Sequence, residues 1–250
     1  MSALEKWGAL GFGQLDAMLF RPDLSDEERL RLYRNEYPES AYDGYGYKRL
    51  NRLEQAGLIA GCHSHRLSHP LPKAYALRRP GQTVLKCAGR LLGVGLRRRW
   101  STRVIPRYTL INGMGLAVSR HLKLPVFSRH ELEWEGRAQG LSEREIRESP
   151  VDLRVKFSPL WDFVVVDHYK LAPRLLKRER EGAMMLYLLQ FPALMGEFFQ
   201  AAKKTKAAFM YACDLEEFQT DPARAPFKNA WGDTMRLGEA KFRKAGRARG

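Results

Sequence analysis

No run of roughly eighteen apolar residues occurs in this chain, so no membrane-spanning helix is expected. The first residues, Met1-Ser-Ala-Leu-Glu-Lys-Trp7, carry neither the basic start nor the apolar centre of a secretory signal. Cysteine is scarce: Cys62, Cys87 and Cys213 lie far apart, without the spacing of a metal site or a disulfide framework. Reduced thiols in a cytoplasm are the expectation. A phosphate-cradling loop is missing as well. The glycines of Gly8-Ala-Leu-Gly-Phe-Gly13 are followed by no Lys-Ser or Lys-Thr, and no strand precedes them. No serine or cysteine has the partner set of an activated nucleophile, so a binding protein rather than an enzyme is expected.

The most informative absence is local. Residues 55–130 hold 14 Lys and Arg and not one Asp or Glu. Residues 1–54 carry 8 basic against 10 acidic side chains, and residues 131–250 carry 21 against 18. The formal net charge of +15 over 250 residues is therefore concentrated in the middle of the chain. Five of the six histidines (His63, His65, His69, His121 and His130) lie in the same block. A one-sign block of this length implies a polyanionic partner, and double-stranded DNA is the expected one. No basic helix with a bulky apolar face stands out in the block, so a membrane surface is not expected.

The segment "YGYKRLNRLEQAGLI" precedes and enters that block. Stepped at 100° per residue as a helix, Leu50 and Leu53 share one side with Gly46 and Gly57. Lys48, Asn51, Arg52 and Gln55 gather on the other side, with Glu54 at the border. These side-chain types donate to phosphates or pair with base edges. Gly57 is expected to end the helix. Two helices are expected before it, one over residues 9–20 and one opened by the capping box of Ser25 with Glu28. After it, "GLIAGCHSHRL" and "PKAYALRRPG" read as two strands around a polar, Pro-broken tip, and "QTVLKCAGRLLG" reads as a further helix.

Three helices followed by a basic hairpin resemble the winged helix-turn-helix domains, over residues 9–92. "YKRLNRLEQAGLI" matches the recognition helix and first wing strand; "AYALRRPGQTVL" matches the second strand and closing helix. The resemblance implies DNA contact by Lys48, Arg49, Asn51, Arg52 and Gln55 on the recognition helix, with His65, Arg66 and Lys73 on the wing. A basic arm or linker is expected over residues 93–108, where Arg97, Arg98, Arg99 and Arg103 with Arg107 would track phosphates.

The expected fold class is α+β: an N-terminal winged helix-turn-helix, then an α/β domain over residues 109–250 with long C-terminal helices. There "HELEWEG" alternates like a strand, with Glu131, Glu133 and Glu135 on one face. "GLSEREIRESP" is a short helix capped by Ser142 and Glu145, and "VDLRVKFSPLWDFVVVDHYK" holds two strands or one bent strand. Residues 173–218 read as mostly helical, kinked or divided at Pro192. A winged helix followed by an α/β region also resembles the replication-relaxation proteins of plasmids and conjugative elements. That resemblance rests on "PLWDFVVVD" and "KREREGAMMLY", and implies DNA binding in plasmid or mobile-element replication, mobilisation or transcription control.

Two alternatives stay open. Glu135, Asp162, Asp167 and Lys170 have the residue types of a Mg²⁺-dependent nuclease, although the two residues between Asp167 and Lys170 put them on opposite faces of a regular strand. No cofactor is expected outside that alternative. His63, His65 and His69 lack the carboxylate or cysteine that would complete a zinc site. The second alternative is an assembly protein. A homodimer or another protein would dock on residues 173–218 through Leu186, Leu188, Leu189, Phe198 and Phe199.

Overall fold

A computed structural model of the chain describes residues 1–34, 36, 44–62, 73–90, 104–156, 160–176 and 183–239. The fold is mixed α/β and divides into two compact units, Met1–Leu116 with Ser128–Glu135, and Ala117–Phe127 with Gly136–Gly250. The division falls well beyond residue 92, where the first expected domain ends. Among the described residues no helix is long and apolar enough to cross a membrane.

The first unit opens with α1 (Ser2–Trp7), β1 (Ala9–Gly11), α2 (Phe12–Leu19) and α3 (Asp26–Tyr33). The helix expected from residue 9 starts only at Phe12, because Ala9–Gly11 is drawn into a sheet, with Leu10 opposite Tyr75. Ser25 and Glu28 form the expected capping box at the start of α3. There follow α4 (Tyr45–Gln55), β2 (Ile59–Cys62), β3 (Ala74–Leu77) and α5 (Arg79–Cys87). The strands form an antiparallel sheet in the order β1-β3-β2, with Ala60 opposite Ala76.

Helix α6 (Val104–Leu122) begins inside the expected basic arm and gives its residues up to Leu116 to this unit. The tie is polar and fully buried. Gln14 donates to the carbonyls of Tyr33 (2.8 Å) and Thr109 (2.6 Å) and accepts from the Gly11 amide (3.0 Å). Asn112 donates to the carbonyls of Trp7 (2.8 Å) and Ala9 (2.6 Å). Each amide satisfies backbone groups that α1, β1 and α3 leave open at their ends, which is the condition for burying them. Gly113 lies against the Tyr33 carbonyl, where a Cβ has no room.

The second unit is built on a seven-stranded sheet. After β4 (Val126–Phe127) come α7 (Arg129–Ala138), which counts with the first unit as far as Glu135, then α8 (Glu143–Glu148), β5 (Leu153–Val155), β6 (Trp161–Val166) and β7 (Met184–Leu189). Then α9 (Leu194–Lys204), β8 (Met210–Asp214), α10 (Leu215–Thr220), β9 (Phe227–Lys228) and β10 (Thr234–Met235) complete it. The order is β10-β9-β8-β7-β6-β5-β4; β6, β7 and β8 run parallel and the outer strands antiparallel. The two strands expected around Trp161 are β5 and β6, and the capped helix at Ser142 is α8.

Two expectations are corrected. "HELEWEG" is not a strand but most of α7. Ser128 and Glu131 make a capping box: the Ser128 amide donates to the Glu131 carboxylate (2.9 Å) and the Glu131 amide donates to Oγ of Ser128 (3.1 Å). Glu133 then reaches back one turn to Arg129 (3.3 Å), an i,i+4 pair that a strand would not form. Residues 173–218 are not mostly helical either. "MMLYLL" is good helix sequence, but it lies between two parallel neighbours and is buried on both faces, which the strand satisfies and an isolated propensity does not. Pro192 stands in the turn before α9 rather than inside a helix.

Candidate nucleic-acid interface

Helix α4 is held by one side and open on the other. Leu50 is buried, and Gly46 faces α2 so closely that a Cβ would sit 2.6 Å from Asp16 Oδ1 and 2.8 Å from the Phe20 ring. Tyr47 meets Phe12 edge to face at 5.5 Å between ring centres. The helix stops as expected at Gly57, whose φ is +69°. The Gly57 amide donates to Glu54 O (2.8 Å) and the Leu58 amide to Leu53 O (3.0 Å), a Schellman turn.

The far side carries Lys48, Arg49, Arg52 and Gln55, all exposed, with Asn51 half-buried. Arg49 donates to the Tyr45 hydroxyl (2.8 Å), which steadies both side chains; the Tyr45 ring stands edge-on to Phe20. Among the described residues no acid pairs with Lys48, Arg49 or Arg52.

Glu54, the one acid of α4, is turned towards the hairpin. It accepts from the Gly61 amide (3.0 Å) and pairs with Lys73, whose ammonium also lies over the Tyr75 ring. Gly61 makes room: a Cβ there would run into both charged side chains. The ion pair therefore takes two expected features out of play. It removes the acid bordering the polar face of α4, and it compensates Lys73, which sequence reading placed on the wing as a DNA contact. Of the remaining expected contacts, His65 and Arg66 lie outside the described residues, as do Arg97, Arg98, Arg99 and Arg103.

Of the residues of the nuclease alternative, Asp162 is engaged inside the sheet. Asp162 is completely buried and takes a bidentate pair of hydrogen bonds from Arg154, at 2.6 Å and 3.0 Å. Arg154 and Asp162 face each other across β5 and β6. Each carboxylate oxygen accepts one guanidinium N–H, so the charge of Asp162 is matched inside the sheet by Arg154. Asp167 follows the end of β6, 3.3 Å from His168 Nε2, and Lys170 stands exposed beyond it. Glu135 belongs to α7 in the first unit. Among the described residues no group of three or more His, Cys, Asp or Glu side chains is placed to hold a metal ion. The Cys213 thiol is pushed up to about 12 by burial, with Glu217 and Asp214 adding to the effect. That shift opposes the thiolate form that nucleophilic chemistry uses.

The assembly alternative loses most of its residues to the core. Leu186, Leu188, Leu189 and Phe198 are buried inside the second unit, where Phe198 lies 4.8 Å from the Tyr187 ring. Among its five anchors only Phe199 retains partial exposure.

Sequence reading missed the withdrawal of Glu54. The signal for it was faint: an acid at the border of a polar face, seven residues before a glycine on the neighbouring strand. Family models, curated proteins and solved structures yield no match to this chain.

Proposed function

We propose that the chain is a DNA-binding protein of the winged-helix type, with α4 as its recognition helix and the β2–β3 hairpin as its wing. What supports the reading is the combination of a β1-β3-β2 antiparallel sheet with a helix, inserted just before β2, that presents an acid-free polar face. That face is the observation that carries it. Exposed helices usually interleave acids with bases because the pairs neutralise each other. Here the only acid of α4 is drawn onto the hairpin, so Lys48, Arg49 and Arg52 stand uncompensated beside Asn51 and Gln55. In a major groove, Asn51 and Gln55 suit adenine, Arg52 suits guanine, and Lys48 and Arg49 suit flanking phosphates. The resemblance to replication-relaxation proteins extends the proposal to plasmid or mobile-element DNA, in replication, mobilisation or transcription control.

Fluorescence anisotropy on duplex DNA over a range of salt tests it. The logarithm of the affinity should fall linearly with the logarithm of salt, with a slope of about −0.9 per phosphate neutralised. Arg52→Ala and Asn51→Ala should each cost about 1–3 kcal/mol on a selected sequence and relax the choice of base. Lys48→Ala should weaken binding on all sequences alike. Affinity indifferent both to salt and to these changes would remove the reading.

A further inference from the structure

A second uncompensated basic face lies on α5, in the same unit. The helix Arg79–Cys87 contains no acid at all. Its buried side is Gly81 and Leu85. Arg79 and Lys86, two turns apart, share the exposed stripe with Thr83, whose hydroxyl donates to the Arg79 carbonyl (3.2 Å). Arg78 stands at the N-cap. Arg90 follows the C-terminal turn, where Gly89 has φ +65° and the Arg90 amide donates to Leu85 O (2.9 Å). All four cations are exposed, and none has an ion-pair partner among the described residues.

Helix stability accounts for only half of this pattern: Lys86 and Arg90 stand at the end of α5 where the helix dipole favours a cation. Arg78 and Arg79 occupy the end of α5 where the helix dipole disfavours a cation. The capped helices of this chain do the opposite: α3 begins with Asp26, Glu27 and Glu28, and α8 with Glu143 and Glu145. The stripe is also tied to the proposed interface. The Leu58 amide closes the last turn of α4, and the Leu58 carbonyl accepts from the Arg78 amide (3.1 Å) at the first turn of α5. Gly81 lies so close to that carbonyl that a Cβ would clash with it. One residue thus links the end of one basic helix to the start of the other.

We infer that α5 is a second phosphate-binding element, whose Arg78, Arg79, Lys86 and Arg90 hold the backbone of duplex DNA continuing beyond the stretch taken by α4. The inference rests on the DNA-binding reading of α4 and adds a contact that recognition helix, wing and arm do not include. From Arg79 to Lys86 the helical rise spans about 10 Å, or about three base pairs.

The full-length chain is titrated by anisotropy with mixed-sequence duplexes of graded length at several salt concentrations. The test variant combines Arg79→Gln, Lys86→Gln and Arg90→Gln. A control combines Lys203→Gln, Lys204→Gln and Lys206→Gln, which removes the same charge from exposed positions in and after α9. Thermal melts establish that both variants are folded. The α5 variant should flatten the salt slope by about 2.7, since each phosphate contributes about 0.9, equally on all sequences. It should also reach its full affinity on duplexes about three base pairs shorter, while the control keeps the slope and length dependence of the parent chain. An α5 variant with unchanged slope and length dependence would overturn the inference, as would a control that loses as much. If the parent chain itself binds without salt dependence, the α4 reading fails and the α5 assignment falls with it.

Discussion

Asp162 illustrates how one side chain changes meaning once its neighbour across the sheet is known. In sequence it is an acid on an apolar strand, a residue type that metal-dependent chemistry uses. In the fold it is half of a buried bidentate pair with Arg154. The two readings predict different outcomes for Asp162→Ala. Loss of a metal ligand would leave stability intact. Loss of the pair takes both of these hydrogen bonds from a buried guanidinium, and the expected cost is about 3–5 kcal/mol. Urea unfolding followed by circular dichroism measures it, and an unchanged midpoint would contradict the structural role. Lys73 makes the same point with opposite sign. Its charge belongs to the acid-free block in sequence, yet Glu54, from just outside the block, neutralises it. Lys48 and Arg52 have no such partner among the described residues and keep their charge available.

Helix starts are the elements most directly written into this chain. Ser25 with Glu28 and Ser142 with Glu145 were legible because the capping box is local, satisfied by atoms three residues apart. In both boxes the serine hydroxyl, and then the serine amide, hold the glutamate carboxyl below its ordinary range. A carboxyl depressed in the folded state adds stability above its unfolded pKa and loses it as the pH falls through the folded one. Melting temperature should therefore decline as the medium is taken from neutral into and below the ordinary glutamate range. Glu28→Gln and Glu145→Gln should each reduce that decline, and identical pH profiles for parent and variants would refute the assignment. Ser128 with Glu131 has the same local signature at α7, but the alternating glutamates that follow mimic a strand. Strand β7 is the reverse case. Nothing within "MMLYLL" distinguishes a buried strand from a buried helix, because the distinction comes from β6 and β8 on either side.

The extent of the first unit depends on contacts about a hundred residues apart. Gln14, near the start of the chain, bonds to Thr109, and Asn112 bonds to Trp7 and Ala9. No local pattern advertises these partners, so sequence placed Thr109 and Asn112 in a separate domain. Gln14→Leu fills similar volume but leaves the Gly11 amide and the Tyr33 and Thr109 carbonyls without that partner. Losing a buried hydrogen bond costs about 0.5–1.5 kcal/mol, and more where the group left behind finds no other partner. The expected result is a large drop in the midpoint of chemical unfolding, accompanied by faster hydrogen exchange at Gly11. A midpoint within error of the parent would show that water replaces the amide without penalty.

The charge block, the polar face of α4, its stop at Gly57 and two of the capped helices were present in the order of the amino acids alone. Each depends on composition or on spacings shorter than two helical turns, where chain connectivity already places the groups together. The removal of Glu54 from the α4 face, the burial of Asp162, the strand at β7 and the joining of α6 to the first unit came from the folded chain. These depend on which distant groups share a low-dielectric interior or a sheet edge, and that is set by packing, not by neighbours along the backbone.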